Sequence, residues 1–377
     1  MGEGGAPPLV LVAAGGTGGH LFPAEALAVA LRRRGVAVEL ATDRRAVRMG
    51  TAFPADQVHV LPSETVRGSN VLAYAKTALF VGMGTAKAWL LLGRLNPKIV
   101  VGFGGYPTVP PLLAASLRHI PTLIHDANAV MGRANRLLAR RATAIATAFD
   151  GILGSDSDLE AKTTVTGNPV RPAVVSAAVT PYDVPDIGDP LRILVFGGSQ
   201  GARVLSEVVP AAIEKLDPMV RRRFIIVQQA RDEDRETVAE AYRRIGARAE
   251  VSAFFPDLPM RMAAAHLVIS RSGAGTVAEL AAVGRPAILV PLPHALDQDQ
   301  LANAKLLQKA GGAILLTQDM FTPDRLAAEL TSLAAAPMRL ATMAVAANSV
   351  GRIDAAERLA NVVMRVAGLD NKGMRYP

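Results

Sequence analysis

Short, wholly apolar runs recur along the chain. Each is closed by glycine or a polar turn and followed by apolar residues at helical spacing. LVLVAA (Leu9–Ala14) runs into GGTGGH (Gly15–His20); FPAEALAVALRRRG then predicts a helix stopped at Gly35, and VAVELAT (Val36–Thr42) a second strand. The alternation continues through KIVVGFGGYPTVPP (Lys98–Pro111), a strand, a GGY turn and a Pro-rich helix start. PTLIHDANAVMGRANRLLARRA (Pro121–Ala142) is a strand and a basic helix, and ATAIATAF (Ala142–Phe149) is another strand. Strands apolar on both faces, alternating with helices, predict an α/β fold with a doubly wound parallel sheet. From Pro172 to Pro190 the period disappears and prolines cluster, which marks a linker. LRILVFGGSQGA then repeats the opening strand and glycine turn. Further strands follow in RRRFIIVQQ (Arg221–Gln229), AEVSAFF (Ala249–Phe255), HLVIS (His266–Ser270) and AILVPLP (Ala287–Pro293), and Ile353–Met364 is an amphipathic helix. Two similar nucleotide-binding folds in tandem are expected.

The densest chemistry lies in RSGAGTVAELAAVGRPAILVPLPHALDQDQLAN (Arg271–Asn303). A helix starting at Gly275 or Thr276 would aim its uncovered amides and positive dipole end at an anion. Glu279, about one turn in, can accept two hydrogen bonds from a diol such as a ribose. The polar loop after the next strand offers His294, Asp297, Gln298, Asp299, Gln300 and Asn303 to sugar hydroxyls. Phosphate turn, diol acceptor and hydroxyl reader, in that order, describe a nucleotide-sugar site. A dehydrogenase reading fails on its glycines: Asp43 stands where a cofactor ribose acid belongs, but Leu21 occupies the place of the last glycine of G-x-G-x-x-G.

Val71–Gly93 is long enough to span a bilayer, yet Lys76 and Lys87 sit inside it and each would cost about 3 kcal/mol at the centre. On a helical wheel Lys76, Lys87 and Arg94 share a stripe with Leu79, Phe80 and Met83, and Trp89 lies some way round it. That mixture suits a helix lying on an anionic membrane, or a packing helix whose lysines snorkel.

Length and composition sharpen this picture. A chain of 377 residues exceeds what one core usually serves, so two domains are expected. Half the residues are hydrophobic and 20% charged, which excludes disorder, and 4% aromatic leaves little for base stacking. With scattered basic residues and no zinc-finger, helix-turn-helix or RNA-recognition signature, no nucleic-acid partner is expected. The net charge of +8 favours phosphate ligands or an anionic surface. The absence of cysteine excludes disulfides and thiolate metal sites, and fits a reducing compartment. The opening MGEGGAPPLVLVAAGG lacks a basic n-region, so no signal peptide is expected, and Ala6 argues against myristoylation.

Seven motifs stand in one order: GGTGGH, GGY (Gly104–Tyr106), His125-x-x-Asn128, GNPVR (Gly167–Arg171), GGSQGA (Gly197–Ala202), RSGAGTVAE (Arg271–Glu279) and PHALDQDQLANA (Pro293–Ala304). In these, from about Leu9 to the last helix, the chain resembles the MurG family, membrane-associated glycosyltransferases of peptidoglycan synthesis. The resemblance implies the GT-B fold, two Rossmann-like doubly wound parallel-sheet domains facing each other across a cleft. It implies an acceptor- and membrane-binding domain of residues 1–171 with 352–377, and a UDP-GlcNAc-binding domain of residues 172–351. The implied reaction moves N-acetylglucosamine, with inversion, from UDP-GlcNAc to the C4 hydroxyl of undecaprenyl-pyrophosphate-linked MurNAc-pentapeptide. Carried over by position, Phe255 would meet the uracil through its backbone, Glu279 the ribose, and Ser199 with Ala274, Gly275 and Thr276 the phosphates. Gln300 and Asn303 would read sugar hydroxyls, and Thr17, Gly18, Gly19, Asn128 and Arg171 would also contact the donor. Gly104, Gly105, Tyr106 and His125 would meet the acceptor. Family members usually carry His or Gln where this chain has Asp299, so no sugar contact is assigned there. A place on the cytoplasmic face of the cell membrane, and partners among cell-wall synthesis and division proteins, are implied too.

His20, directly after GGTGG, is the candidate general base; capping of the glycine turn is the structural alternative. His125 with Asp126 is a second base candidate or an acceptor-binding pair. Amides around Ser199 and Gly275 would stabilise a departing diphosphate, so no metal or other cofactor is expected. DSD (Asp156–Asp158), DED (Asp232–Asp234) and DQD (Asp297–Asp299) resemble metal-diphosphate motifs, but the first two stand where loop and helix-start carboxylates are common. Two other functions fit the same motifs: a UDP-GlcNAc epimerase of the same shape, which would not need the Val71–Arg94 patch, and a non-catalytic sugar-nucleotide-binding protein.

Overall fold

The computed structural model describes residues 6–44, 53–62, 71–154, 156–198, 201–293 and 295–370, without the side chains of 71–77 and of Leu296. The chain divides into two compact units, residues 1–171 with 354–377 and residues 172–353. Every strand pairing described in either unit is parallel.

The first unit contains β1 (Leu9–Ala13), β2 (Ala37–Thr42), β3 (Val58–Val60), β4 (Ile99–Gly102), β5 (Thr122–Asp126), β6 (Ala144–Thr147) and β7 (Thr163–Val165). They lie in the order β3-β2-β1-β4-β5-β6-β7. Successive side chains point to opposite faces, so β1 feeds two cores. Val10 and Val12 pack under helices Gly18–Arg33 and Ala355–Val366. Leu11 and Ala13 pack under Val71–Leu95, Val109–Leu117 and Arg133–Ala139. The helix Ala355–Val366 buries Leu359, Ala360 and Val363 completely in this unit, and Glu357 pairs with Arg34 at 2.6 Å.

The second unit contains β8 (Leu191–Phe196), β9 (Phe224–Gln229), β10 (Arg248–Ser252), β11 (Leu267–Ser270), β12 (Ala287–Leu289) and β13 (Ala313–Leu315). Their order is β10-β9-β8-β11-β12-β13. Both sheets agree with the doubly wound α/β expectation. Three details differ from it. The edge strand β3 was not anticipated, because its Val58 and Val60 face outward and leave no apolar run. AILVPLP stops being a strand at Leu289, before Pro291. The Pro-rich segment is not wholly irregular, since Pro172–Ala177 is helical.

That segment is also pinned. Arg285, 2% exposed, donates to the carbonyls of Ala263, Val283, Gly284, Thr180 and Pro181. Tyr182 Oη donates to the carbonyl of His266 at 3.0 Å. A planar fork of five N–H donors suits a buried cluster of carbonyls. Arg285→Ala would strand several of them, so a loss of about 3 kcal/mol or more is expected in urea unfolding of this unit. Arg243→Ala, which removes exposed pairs to Glu236 and Glu240, should cost less than about 1 kcal/mol.

Candidate active site

Each sheet reverses its strand order once, and loops leaving adjacent strands toward opposite faces open a crevice there. In the first unit the reversal lies between β1 and β4, where GGTGGH and GGY leave the strands. The helix Gly18–Arg33 begins in this crevice with no acidic residue in its first turn and no side-chain cap on its amides. The Thr17 hydroxyl instead meets His20 Nδ1 at 3.3 Å, and the half-buried imidazole rests on the GGY turn. A Cβ on Gly104 would stand 3.4 Å from His20 Nε2 and one on Gly105 3.5 Å from His20 Cε1. Both glycines have positive φ, 84° and 77°, so a side chain there would strain the backbone as well as crowd His20. Tyr106, half-buried, follows directly.

Asp126, at the end of β5, organises the next loop. Its carboxylate accepts from Asn128 N (3.1 Å), Gly132 N (2.9 Å) and Asn135 Nδ2 (2.9 Å). Asn135 Nδ2 also donates to the His125 carbonyl and lies against Gly104, so this loop and the GGY turn share one support. Asn128 is half-exposed on the loop. His125 is placed otherwise than expected. It is 1% exposed, its ring lies 5.3 Å from that of Phe103, and Nε2 donates to the Gly167 carbonyl at 3.1 Å. In this structure the ring is packed in the core with Nε2 engaged by that carbonyl, and the Asp126 carboxylate is engaged by three donors of its own loop.

In the second unit the reversal lies between β8 and β11, where GGSQGA and RSGAGT leave the strands. Ser199 lies outside the described residues. The helix Ala274–Val283 starts with an uncapped first turn: Gly273 offers no side chain, and the first turn holds no acidic residue. It thus presents the amides of Ala274, Gly275 and Thr276, and Glu279 is 7% exposed farther along. Phe255 is 6% exposed; its ring lies under Arg261, 4.4 Å away, and its carbonyl accepts from Leu258 N at 3.3 Å.

The loop before helix Asp299–Ala310 is bent by two successive non-glycine residues at positive φ, Asp297 (67°) and Gln298 (50°). Such residues cost on the order of 1–2 kcal/mol each and cluster at functional turns. Burial pushes the Asp299 carboxyl up. Gln300 Oε1 accepts from Leu292 N at 3.0 Å, which leaves Nε2 as the group able to reach a hydroxyl. Asn303, expected to meet a sugar hydroxyl, lies on this helix. It is wholly buried, and Nδ2 donates to the Ser272 carbonyl while Ser272 Oγ donates to the Gln300 carbonyl. The pair clamps this helix to the RSGAGT turn.

Three features escaped the motif reading. Arg271 donates to the Val290 and Pro291 carbonyls and to Gln318 Oε1, tying together the loops after β11, β12 and β13. Its position directly after an apolar strand was the available signal. An open polar cavity of about 400 Å³, lined by Gly201, Gln229, Arg231, Asp232, Glu233 and Ala253, lies at the ends of β9 and β10. QQARDED, a polar run closing a strand, marked it in the sequence. Arg118, too, lies 3.8 Å over the Trp89 ring.

Along Val71–Leu95, Ala88 and Leu92 are buried, whereas Leu79 (62%), Met83 (45%), Trp89 (43%) and Leu90 (57%) are exposed beside Lys87 and Arg94. Phe80 is half-buried, and the Lys76 side chain lies outside the described residues. Residues 78–95 are long and apolar enough to cross a membrane, but here the helix packs on Val109–Leu117 through its small-residue side. Among the described residues no group of three or more His, Asp or Glu could hold a metal ion. Asp156 caps a helix, accepting from Leu159 N.

Residues 10–147 match the glycosyltransferase family 28 N-terminal domain, and residues 192–359 the C-terminal domain of that family. A protein of Rhodopseudomonas palustris (strain BisB18) is 60% identical over 97% of both chains. It is named UDP-N-acetylglucosamine--N-acetylmuramyl-(pentapeptide) pyrophosphoryl-undecaprenol N-acetylglucosamine transferase. The crystal structure of Acinetobacter baumannii MurG matches 95% of this chain and 100% of its own, at 31% identity and a TM-score of 0.77. The chain belongs to the MurG family. A putative UDP-N-acetylglucosamine 2-epimerase from Listeria monocytogenes superposes with a TM-score of 0.68 at 16% identity, and so shares the fold alone. The glycine turns of each unit thus lie at that unit's own strand reversal, while the His125 motif runs past the end of β5 and the GNPVR and PHALDQDQLANA motifs follow β7 and β12.

Burial pushes the His125 imidazole down to about 4. In the unfolded chain it titrates at about 6.5, so between these values the unfolded state binds more protons than the folded one. Stability of the first unit is therefore expected to fall as pH drops through that window. His125→Gln, which can still donate to Gly167, should flatten the fall in urea midpoints measured across it.

Proposed function

We propose that the chain transfers N-acetylglucosamine from UDP-N-acetylglucosamine to a pyrophosphoryl-undecaprenol-linked N-acetylmuramyl-pentapeptide, in peptidoglycan synthesis. Identity of 60% over 97% of the chain with proteins named for that reaction carries this reading. The epimerase alternative has behind it a shared fold alone.

In this reading His20 takes the proton of the acceptor's C4 hydroxyl as that oxygen bonds to the anomeric carbon. The bond from that carbon to UDP breaks on the opposite side, with inversion, and UDP departs as the diphosphate. The uncapped turn at Ala274–Thr276 takes the charge that develops on it. Ser199 joins that turn, Glu279 binds the ribose, the Phe255 backbone meets the uracil and Gln300 Nε2 meets the sugar. Thr17, Gly18, Gly19, Asn128 and Arg171 complete the donor contacts, and Gly104, Gly105 and Tyr106 face the acceptor. With amides in this role, the reaction runs without a metal. The exposed Leu79, Met83 and Leu90, flanked by Lys87 and Arg94, lie on the anionic cytoplasmic face of the cell membrane, where the lipid acceptor resides and where cell-wall synthesis and division proteins would meet it.

Labelled sugar should pass from UDP-N-acetylglucosamine to a short-chain lipid acceptor and continue undiminished in EDTA. UDP-N-acetylglucosamine binding with no product on any lipid acceptor would favour a binding protein. His20→Ala should lower kcat at least about a hundredfold; normal turnover would remove His20 from the mechanism. In flotation with anionic liposomes, Leu79→Glu with Met83→Glu should leave the protein unbound, while transfer to a water-soluble acceptor persists.

A further inference from the structure

The Arg171 guanidinium lies over the Phe22 ring, 4.3 Å from its centroid. Phe22 sits on the Gly18–Arg33 helix four residues after Gly18, and its side chain points back toward the helix start. A Cβ built on Gly18 would stand 2.9 Å from Phe22 Cε2 and 3.1 Å from Cζ. One ring therefore touches the uncapped glycine turn with its edge and carries a cation on its face. Glu25 stands three residues on, and so on the same side of the helix. Burial pushes the Glu25 carboxyl up, and Arg171 opposes that shift. The chain segment that delivers Arg171 is tied at its other end, where His125 Nε2 and Thr166 Oγ1 both donate to the Gly167 carbonyl, at 3.1 and 3.0 Å.

An arginine side chain loses much rotamer freedom when it grips an anion. A ring that already holds the guanidinium removes most of that cost beforehand. Phe22 also sets the place at which the cation waits, on a ring that stands about one helical turn after Gly18 and touches it. Simple core packing would account for a large apolar residue at this position, but not for its half-exposed face under a guanidinium.

We propose that Phe22 is a positioning residue for Arg171: it holds the guanidinium beside the first turn of the Gly18–Arg33 helix, so that one cation and those amides meet the same diphosphate. The inference rests on the transferase reading, in which the sugar donor and the lipid acceptor each carry a diphosphate.

The test is a double-mutant cycle on the full-length protein, with KM and kcat measured separately for UDP-N-acetylglucosamine and for the lipid acceptor. Phe22→Leu should raise KM about threefold to thirtyfold for UDP-N-acetylglucosamine, the substrate that Arg171 contacts in that reading, with kcat changed less than about twofold. Phe22→Trp, which keeps a ring face beneath the guanidinium, should restore KM. In an Arg171→Ala background, Phe22→Leu should add less than about twofold. An equal loss in both backgrounds would overturn the proposal, as would Phe22→Leu kinetics like those of the wild type. If Phe22→Leu does not fold, Phe22→Met, which refills the space against Gly18 without a ring, takes its place in the same cycle. A wild-type protein that transfers no sugar in this assay would count against the transferase reading, whereas an active wild type with additive losses counts against the positioning role alone.

Discussion

A helix that follows a parallel strand starts with amides that no carbonyl of its own can satisfy, and at a strand-order reversal nothing in the sheet covers them. In the first unit the reversal lies between β1 and β4, and in the second between β8 and β11. Neither the Gly18 helix nor the Ala274 helix has a side-chain cap or an acidic residue in its first turn. Leaving both starts uncapped forgoes about 1 kcal/mol of helix stability apiece. The uncovered positive ends suit substrates that carry their negative charge in diphosphates.

An uncapped turn is useful only if its loops stay in place, and buried polar groups do that work in both units. Asp126 gathers three amide donors and fixes the loop of Asn128. Arg271 joins three loops at the carboxyl edge of the second sheet, and Asn303 with Ser272 joins the Asp299–Ala310 helix to the turn before Ala274. A polar group buried with full partners resists displacement more than an apolar contact does, because each broken bond leaves a costly orphan. The strained pair Asp297 and Gln298 is held between two such clamps.

Much of the fold was legible because parallel strands buried on both faces leave continuous apolar runs, as in Leu9–Ala13 and Leu191–Phe196. Short strands were not: β3 and β13 each have three residues, too few to show a period. The candidate site was legible where backbone carries it, because glycine turns advertise themselves. It was less legible at His125 and Asn303, where a polar side chain next to a motif faces inward. Spacing along the chain cannot tell a residue that touches a ligand from one that holds its neighbour in place. That difference lies in burial and in the carbonyl each chooses, Gly167 for one and Ser272 for the other.

The helix Ala355–Val366 completes the core of the unit that begins the chain. During synthesis the first sheet must therefore wait, with one face covered by the Gly18–Arg33 helix but not yet by the last one, while the ribosome makes residues 172–353. The second unit has all its own strands and helices by then and can close first. Order of folding would thus run against order of translation, and the uncovered part of the waiting sheet is where the nascent chain most needs shelter from aggregation.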